Sequence, residues 1–518
     1  MSFLGEIINF FEKRSWLSFF LIFIISASLF GYLASDQTFV DPDSFYHAKM
    51  AQLLWEKGAI TSFPWLSATT LQYKFADHHF LYHLALIPFV KIFPAPWGLK
   101  IATVLFASFA ILAIYWFLRQ LKIPGSFWYI LFLLTINPFV FRLNLAKAQG
   151  LVIFFLFIIL ALVFRRAYLT LILGITLYVW LYGGWPILFL IFGVYLLLNF
   201  VWPLISGQQL ISARKVKKIF WQDLNLVFSL TIGIVLGLVF SPYFPFNLGF
   251  YWEQSFKIAL VNYQHLINVG GEWYPYLWSD LILAALPFFL LLILGTAFLI
   301  LTYRRQNLGS WFFFILTLVF FALTLKSRRY VEYFIPFGLV FSALSLPELW
   351  RQLKNKLRPH FSLKLIWFSP LLLLILLSPI FYQDLKEVKT AYQNGFAFDQ
   401  FLPAARWLAE NSLVGDIVFH SDWDEFPLLF FHNDLNYYLV GLDPTFMYNN
   451  KPNLYRDWSK VTTGEETENL YPIIKNIFGA RYVFVDAKDH YGLIRNLENN
   501  INFEEVFSDN ESRIFQVR

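Results

Sequence analysis

Long stretches of apolar residues without a charge alternate with short polar segments along this chain. Residues 15–34 form one such run of 20 residues, and residues 167–205 form another of 39. At about 1.5 Å per residue, the second run is nearly twice the hydrocarbon thickness of a bilayer, so it must cross twice. The sequence GGWP at 183–186 interrupts it and predicts the break between two helices. The pattern predicts a polytopic α-helical membrane protein.

Eleven apolar segments are predicted to cross the membrane. The first is predicted to be a retained helix, because it is too long for a signal peptide and lacks a small-residue cleavage site. A further apolar segment, 80–93, is short for a crossing, so an interfacial helix is predicted there. The predicted spans are 15–34, 101–118, 126–141, 148–164, 167–183, 186–205, 224–246, 281–303, 307–325, 333–347 and 365–382.

Positive charges in the short loops orient these spans. With the N-terminus in the cytoplasm, the basic loops alternate correctly with eleven spans, and three longer segments fall outside: 35–100, 247–280 and the tail after 383. The basic residues that fall inside are Arg119, Lys122, Arg165, Arg166, Arg214, Lys215, Lys217, Lys218, Arg304, Arg305, Arg351, Lys354, Lys356 and Arg358.

The tail differs from the rest of the chain, because it is less apolar and alternates helix-like with strand-like runs. We therefore predict a transmembrane domain over 1–383 and an external α/β domain over 384–518. Within the tail, a helix is predicted over 399–411, and strands are predicted over 416–420, 437–442, 481–486 and 513–517.

Composition supports the membrane assignment and narrows the chemistry. Of 518 residues, 58% are hydrophobic and only 14% are charged, against about a quarter charged in an ordinary soluble domain. The chain has no cysteine, which excludes a disulfide framework and a cysteine-based metal site. The net charge of +6 is modest, and no nucleic-acid partner is expected. Without cysteines or organelle signals, a bacterial inner membrane is the favoured location.

Two aspartates, Asp41 and Asp43, directly follow the first predicted span. Carboxylates at a bilayer surface are costly unless they are solvated or bound to a cation. A pair of acids two residues apart is most often a solvated loop, but it can also bind Mg²⁺ or Mn²⁺ through oxygen. Glu272, flanked by glycines and aromatic residues in the outer loop, is either a third metal ligand or a loop acid.

A basic cluster of Lys326, Arg328 and Arg329 lies on the predicted outer side, where the positive-inside rule disfavours it. Such a cluster at the start of a span fits a phosphate clamp. It also fits an interfacial anchor or ion pairing with Glu332 one turn on. The sequence leaves these alternatives open.

Several histidines lie in the first outer loop, in the sequence KFADHHFLYH. His79 and His83 are four residues apart and share a helix face, and histidine can bind a metal or carry a proton. A zinc site needs further ligands at defined spacing, which the sequence does not supply. His79 is therefore a candidate substrate-binding residue.

The order of these motifs resembles that of the multi-spanning C-type glycosyltransferases, and within them the catalytic subunits of oligosaccharyltransferases. DPDSFYHA, beginning at Asp41, is similar to their first acidic motif, and Glu272 falls where they have a glutamate in a late external loop. The arginines at 328–329 precede a span like their diphosphate-contacting arginine. In the tail, DWDEF resembles their WWDYG motif, with Trp423 and Asp424 on the central W-D.

Two departures from that pattern affect what the resemblance implies. The family's second acidic motif is expected before the fourth span, where this chain has Lys147 and Gln149 in place of acids. A three-acid metal site is then incomplete, and Lys147 is an alternative source of positive charge. In the tail motif, this chain has Asp422 in place of the first tryptophan and Glu425 in place of the tyrosine. In oligosaccharyltransferases this motif reads the acceptor sequon. The acceptor preference therefore does not transfer to this chain.

The resemblance implies a C-type glycosyltransferase fold with about eleven membrane helices, acting on a polyprenyl-linked sugar donor in the lipid bilayer. Asp41 or Asp43 is expected to be a metal ligand or the base for the acceptor nucleophile, and Glu272 is expected to assist a Mn²⁺ or Mg²⁺ ion. The expected substrate-binding residues are Arg328, Arg329, Lys147, His79, Trp423 and Asp424.

Several functions agree with this pattern. The first is an oligosaccharyltransferase-like enzyme with a protein, lipid or glycan acceptor, and the nearest alternative adds one sugar to a lipid or polysaccharide. A transporter for polyprenyl-linked glycans should bury ionisable residues at mid-membrane and show paired repeats, and this sequence shows no repeat. A non-catalytic binding protein is the remaining alternative, because the second acidic motif is altered.

Overall fold

The computed structural model describes residues 15–205, 213–261, 263–357 and 363–518. The N-terminus, predicted to be cytoplasmic, and Arg358 of the predicted inner loops lie outside these residues. Helices dominate. They are α1 Ser15–Leu33, α2 Asp43–Lys57, α3 Phe80–Ile92, α4 Ala95–Gln120, α5 Ser126–Leu133, α6 Asn137–Asn144, α7 Gln149–Arg165, α8 Tyr168–Leu181, α9 Ile187–Ile205, α10 Ala213–Val239, α11 Phe246–Trp252, α12 Trp278–Ala284, α13 Leu286–Leu301, α14 Leu308–Thr324, α15 Val331–Leu357, α16 Leu363–Gln393, α17 Leu402–Asn411, α18 Phe426–His432, α19 Thr445–Asn450, α20 Pro452–Thr462 and α21 Tyr491–Glu498.

The described chain divides into two compact units. The first unit comprises residues 1–36, 101–238 and 272–393, and the second comprises residues 37–100, 239–271 and 394–518. Each predicted span between 101 and 382 coincides with one helix or with two consecutive helices, and the turn at 183–186 separates α8 from α9. The predicted boundary between 383 and 384 stays a prediction.

Four helices of the described chain are long and apolar enough to cross a membrane, and the number rises to six if each of two bent pairs is counted as one span. The bent pairs are α5 with α6, at 77°, and α12 with α13, at 86°. Five further apolar helices have 10–17 residues, and α3 is one of them. The chain is a helical membrane protein, whereas the count of eleven spans stays a prediction.

Close helix packing in the first unit depends on aromatic residues and a small one. Phe320 of α14 lies 5.2 Å, between ring centroids, from Phe337 of α15. A Cβ added to the neighbouring Gly338 would meet the Phe288 ring of α13 at 2.5 Å. Only glycine therefore lets α13 and α15 approach this closely, which is how membrane helices commonly pack.

The second unit contains a four-stranded sheet with the strand order β3-β4-β6-β5. β3 and β4 are parallel, and β4, β6 and β5 pair antiparallel. A separate two-stranded ladder joins β1 to β2. The strands are β1 Thr38–Phe39, β2 Phe396–Ala397, β3 Ile417–His420, β4 Ala480–Asp486, β5 Phe503–Ser508 and β6 Ser512–Val517.

Three of the four strands predicted in the tail are confirmed, as is the helix now called α17. The strand predicted over 437–442 is wrong, because that segment makes only the isolated bridges Leu66↔Tyr438 and Ile417↔Tyr437. β5 was not predicted. Its sequence FEEVFS exposes two glutamates in succession, so it lacks the regular two-residue alternation of a half-buried strand. The pairing of β5 with β6 is correspondingly irregular between Glu505 and Phe507.

Candidate functional site

In the second unit, Asp41 and Asp43 occupy different positions at the start of α2. The backbone N–H of Asp43 donates to Asp41 Oδ1 at 3.0 Å, which closes an Asx turn. Asp41 thus shapes the entry of the helix through its side chain. Asp43 is the acidic residue of the first helical turn and is half-buried. Asp41 therefore positions the start of α2, and a chemical role for either aspartate stays a prediction.

The DWDEF segment forms the turn between β3 and α18, and Glu425 closes it. Glu425 accepts hydrogen bonds from the Ser421 hydroxyl and, at 2.9 Å, from the backbone N–H of Asp422. Glu425 is 4% exposed. Burial raises its pKa to about 8, although the hydrogen bonds from Ser421 and Asp422 oppose the shift. Glu425 therefore belongs to the architecture of the turn.

His420, at the end of β3, also has a structural role. Its Nε2 accepts hydrogen bonds from the backbone N–H groups of Leu439 and Val440 at 3.3 Å, so its Nδ1 carries the proton and donates to the Asp422 carbonyl at 2.6 Å. Burial lowers the pKa of His420 to about 4. The ring is therefore neutral at physiological pH and holds the turn to the segment 439–440.

Asp424 brings the turn and the first acidic motif together within this unit. Burial, followed by the negative charges of Asp422, Glu425 and Asp43 in that order, raises the pKa of Asp424 to about 8. Asp43 is therefore close enough to affect the ionisation of Asp424. Trp423, between the two aspartates of the turn, is half-buried. The two most specific sequence motifs thus share one region of the second unit.

The raised pKa of Asp424 predicts a pH-dependent stability. The ordinary carboxyl pKa of aspartate is about 3.9, so the folded protein binds this proton more tightly than the unfolded chain and loses stability as the pH rises from about 4 to about 8. Asp424→Asn should therefore raise the Tm at pH 8.5 and change it little at pH 4. Thermal unfolding in detergent tests this, with the exposed Glu410→Gln as control. An equal change at both pH values would contradict the assignment.

His79 lies beside a group of histidines at the start of α3. Its backbone N–H donates to Asp77 Oδ1 at 2.9 Å. Its ring is 4.0 Å from the His78 ring and 5.4 Å from the His47 ring, measured between centroids. The helix face shared by His79 and His83 is observed, and His47 of α2 contacts both rings.

In the first unit, Glu272 is bound by arginines. Its Oε2 accepts a hydrogen bond from Arg142 Nη1 at 2.8 Å, and its Oε1 lies 3.5 Å from Arg329 Nε. Arg142 also donates through Nε and Nη2 to Glu332 Oε2, at 3.2 and 2.9 Å. Glu332 thus pairs with Arg142, a partner that none of the sequence alternatives included.

Arg328 and Arg329 differ in their surroundings. Arg329 stacks on Trp273 at 4.3 Å and is half-buried, whereas Arg328 is exposed, donates from Nε to the Pro275 carbonyl at 3.2 Å and stacks on Tyr276 at 5.4 Å. A cation that is partly withdrawn from water binds an anion more strongly than an exposed one. Arg329 is therefore better placed than Arg328 to bind an anion, and phosphate binding stays a prediction.

Lys147 contributes to the electrostatics of Glu272. Burial would raise the pKa of Glu272, but the positive charges of Arg329, Lys147 and Arg142 outweigh it and hold that pKa well below its usual range. Three cationic side chains therefore act on Glu272, and one of them, Arg142, also binds Glu332. We call these five residues the cationic cluster.

Two buried amides flank Lys147 in the chain. Asn144 is 1% exposed, and neither its Oδ1 nor its Nδ2 has a hydrogen-bond partner among the described residues. Gln149 is 3% exposed, and its Oε1 likewise lacks a partner among them. Buried polar atoms are normally satisfied, so such atoms indicate a place for water or a polar ligand.

A divalent metal fits only part of the predicted ligand set. The described residues contain no group of three or more histidine, aspartate or glutamate side chains arranged to hold a metal ion. Glu272 does not fit as a ligand, because both of its carboxylate oxygens face guanidinium groups. Metal binding by Asp41 and Asp43 stays a prediction.

Sequence reasoning missed Arg142, which connects the two glutamates of the cationic cluster. One signal was present: Arg142 is an isolated charge in the otherwise apolar segment NPFVFRLN. A charge in such a segment needs an ionic partner. Its partners are 130 and 190 residues away in the chain, and nothing in the local pattern identifies them.

Three solved structures have a similar fold. The archaeal oligosaccharyltransferase AglB from Archaeoglobus fulgidus, in complex with an inhibitory peptide and a dolichol-phosphate, has a TM-score of 0.61 at 15% identity over 92% of this chain and 70% of that chain. ArnT from Cupriavidus metallidurans in the apo state has a TM-score of 0.58 at 13% identity over 97% of this chain and 98% of that chain. The arabinofuranosyltransferase AftD from Mycobacteria has a TM-score of 0.52 at 12% identity over 97% of this chain and 40% of that chain.

No protein-family model matches the chain, and no curated protein matches it. At 12–15% identity, the structural similarities establish the fold. This chain has the fold of the multi-spanning C-type glycosyltransferases. The resemblance inferred from the sequence motifs is confirmed at this level.

Proposed function

We propose that this chain is a membrane glycosyltransferase that moves a sugar or an oligosaccharide from a polyprenyl-phosphate or polyprenyl-diphosphate donor to an acceptor. The observation that carries the proposal is the cationic cluster, in which Arg142, Arg329 and Lys147 converge on Glu272. In a chain with a glycosyltransferase fold, such a cluster suits the anionic leaving group of a lipid-linked sugar. The neighbouring AglB structure contains a dolichol-phosphate, a molecule of this chemical class.

The cationic cluster would act on the leaving group. As the bond between the anomeric carbon and the phosphate oxygen breaks, its electron pair stays on the phosphate, and negative charge develops there. Arg329 and Lys147 would stabilise this charge, with hydrogen bonds from guanidinium to phosphate oxygen. Arg142 is already bound on both sides by Glu272 and Glu332, so we assign it to positioning.

The acidic turn of the second unit, by which we mean Asp41 and Asp43 together with the DWDEF segment, would act on the acceptor. Asp43 would accept a hydrogen bond from the acceptor nucleophile and orient its lone pair towards the anomeric carbon. Burial and the neighbouring carboxylates raise the pKa of Asp424, which favours its protonated form, and a protonated carboxyl group can donate a hydrogen bond. We assign acceptor contacts to Asp424, Trp423 and His79. A Mn²⁺ or Mg²⁺ ion on Asp41 and Asp43 would add Lewis-acid chemistry at this point.

The acceptor class has two candidates. A peptide-like acceptor is supported by the AglB structure, which contains an inhibitory peptide. Transfer of a single sugar to a lipid or polysaccharide is supported by the DWDEF turn. Glu425 is buried there and accepts hydrogen bonds from Ser421 and Asp422, so it would not read a peptide acceptor. AftD, an arabinofuranosyltransferase with a similar fold, favours the same alternative. We place the oligosaccharyltransferase-like function first.

The proposed topology follows the charge pattern. We propose eleven spans in a bacterial inner membrane, with the N-terminus in the cytoplasm and the tail domain outside, and α3 at the interface. In this orientation the acidic turn lies near the headgroup layer where a polyprenyl phosphate presents its sugar. Cysteines introduced singly at exposed positions such as Lys122 and Glu410 test it, since only the latter should react with an impermeant thiol reagent in intact cells.

Donor turnover in membranes tests the function. We would supply polyprenyl-phosphate and polyprenyl-diphosphate sugars with candidate peptide and lipid acceptors, in the presence of Mn²⁺ or EDTA. Transfer to an acceptor supports the proposal, and the acceptor used separates the two candidates. Binding without turnover, or movement of intact donor across the bilayer, would favour the binding or transport alternatives. Loss of activity in EDTA would establish the metal.

The neighbouring arginines provide a matched pair for this assay. Arg329→Gln should lower kcat/KM for the donor by about 10²-fold, because one charge-assisted phosphate contact in a partly buried site is lost. Arg328→Gln should change it less than about threefold, because that side chain is exposed and bound to the Pro275 carbonyl. Equal losses for the two variants would show that the arginines act through general surface charge.

A further inference from the structure

Asp77, His83 and His47 form a chain of hydrogen bonds in the second unit that no role described above uses. His83 Nδ1 lies 2.6 Å from Asp77 Oδ2, and His83 Nε2 lies 2.8 Å from His47 Nδ1. Asp77 and His47 are each 4% exposed, and His83 is fully buried. Burying three ionisable side chains costs desolvation free energy, which their hydrogen bonds to one another only partly offset.

The hydrogen-bond chemistry determines where the protons lie. A carboxylate only accepts, so His83 Nδ1 donates to Asp77. In neutral His83 the other nitrogen then accepts, so His47 donates from Nδ1 and its Nε2 carries the lone pair. The second oxygen of Asp77 accepts the backbone N–H of His79 at 2.9 Å, which holds the carboxylate in place. His47 is thus a base whose tautomer is set by two groups behind it.

A second histidine extends what this arrangement can do. When Nε2 of His47 takes up a proton, its Nδ1 proton can pass to His83 Nε2. The positive charge then lies on His83, directly beside the Asp77 carboxylate. Burial disfavours a charged histidine, and an adjacent carboxylate offsets that cost. The three side chains can therefore store a proton away from the point where it is taken up.

This chain of three hydrogen-bonded side chains lies next to the acidic turn. His47 follows Asp43 by four residues on α2, which places the two on one face of the helix. Burial raises the pKa of Tyr46, and the charges of both Asp77 and Asp43 raise it further, so the two carboxylates lie near the same phenol. The titratable rings that face His47 are Tyr46 of its own helix, His79 directly before α3, and Tyr82 and His83 of α3.

We propose that the Asp77–His83–His47 relay receives the proton that the acceptor loses during glycosyl transfer, an inference that rests on the proposed function. The acceptor O–H or N–H bond breaks, its electron pair forms the bond to the anomeric carbon, and its proton passes to His47 Nε2, directly or through one water. The electron pair of the broken sugar–phosphate bond leaves with the phosphate. His83 and Asp77 are positioning residues that act through His47.

The test compares rate and pH dependence in single variants. His47→Gln should lower kcat by about 10²-fold, leave the donor KM unchanged and remove the acid limb of the pH–rate profile, because the group that must be unprotonated is gone. Asp77→Asn should lower kcat less and move the acid limb to lower pH, because the carboxylate that favours the protonated relay is lost. His265→Gln, an exposed histidine of the same unit, is the control.

Three outcomes separate the possibilities. If wild type transfers no sugar, the proposed function fails. If wild type is active and both His47→Gln and Asp77→Asn keep its pH profile, the relay inference fails alone and the histidines are structural. If His47→Gln unfolds at a much lower temperature than wild type, His83→Gln decides, since it keeps the His47 ring: an unchanged pH profile in that variant overturns the inference.

Discussion

Asp43→Asn is expected to lower the rate of sugar transfer by about 10²-fold, because the carboxylate that orients the acceptor nucleophile towards the anomeric carbon is lost. Asparagine has nearly the same shape, but it carries no charge and aligns an acceptor hydroxyl or amide less strongly. The donor KM should change little, because the leaving group is assigned to the cationic cluster. Initial rates of transfer with the donor and acceptor identified in the turnover assay provide the measurement.

Asp41→Asn is the matched control for this change. The amide oxygen of asparagine can still accept the Asp43 backbone N–H that Asp41 Oδ1 accepts at 3.0 Å, so the Asx turn should persist and activity should stay within about threefold of wild type. If Asp41→Asn is as damaging as Asp43→Asn, and both losses occur only when Mn²⁺ or Mg²⁺ is supplied, the two aspartates act as metal ligands. Full activity of Asp43→Asn would exclude it from the chemistry.

Arg142→Met is expected to lower the free energy of unfolding by about 3–5 kcal/mol, the usual cost of removing one partner from a buried ion pair. Methionine keeps much of the side-chain volume, but it leaves Glu332, whose side chain is 2% exposed, without the guanidinium that binds it at 2.9 Å. Glu272 loses its 2.8 Å partner as well. Denaturant or thermal unfolding in a fixed detergent measures the loss.

Two comparisons isolate the charge effect. Adding Glu332→Gln to Arg142→Met should restore part of the stability, since the buried charge left unpaired is removed with its partner. Arg166→Met, at the 3.5 Å pair with Asp223 where both side chains are about one-fifth exposed, should cost less than about 1 kcal/mol. An Arg142→Met variant as stable as wild type would mean that the cluster is not held together by ion pairing.

The membrane class and the fold family were predictable from local patterns. Uncharged runs such as 167–205 are visible in the sequence because a bilayer requires each crossing segment to be apolar over its length. β3, β4 and β6 were also predictable, because each is a short run of alternating or buried apolar residues. The helix bends of 77° and 86° were not, since a break in a helix leaves the hydropathy of the span unchanged.

The strand predicted over 437–442 shows where local pattern misleads. YYLVGL has the aromatic and branched residues that favour strands, yet Tyr438 makes only an isolated bridge, to Leu66. Its backbone N–H donates to the Trp65 carbonyl, and the N–H groups of the next two residues donate to His420. Apart from the bridge between Tyr437 and Ile417 of β3, the backbone of this segment bonds to distant groups and forms no continuous ladder, and only the tertiary structure decides that.

By itself, the sequence determined that this is a helical membrane protein with a polar tail domain, and it singled out Asp43, Glu272, Arg329 and Asp424 as the residues to examine. These conclusions depend on composition and periodicity, which each segment carries locally. Only the tertiary structure decided which charges meet: that Glu272 is bound by Arg142, and that Asp77, His83 and His47 are joined. Such pairings follow from how the helices pack, and the energy of a buried charge depends on its neighbours in space.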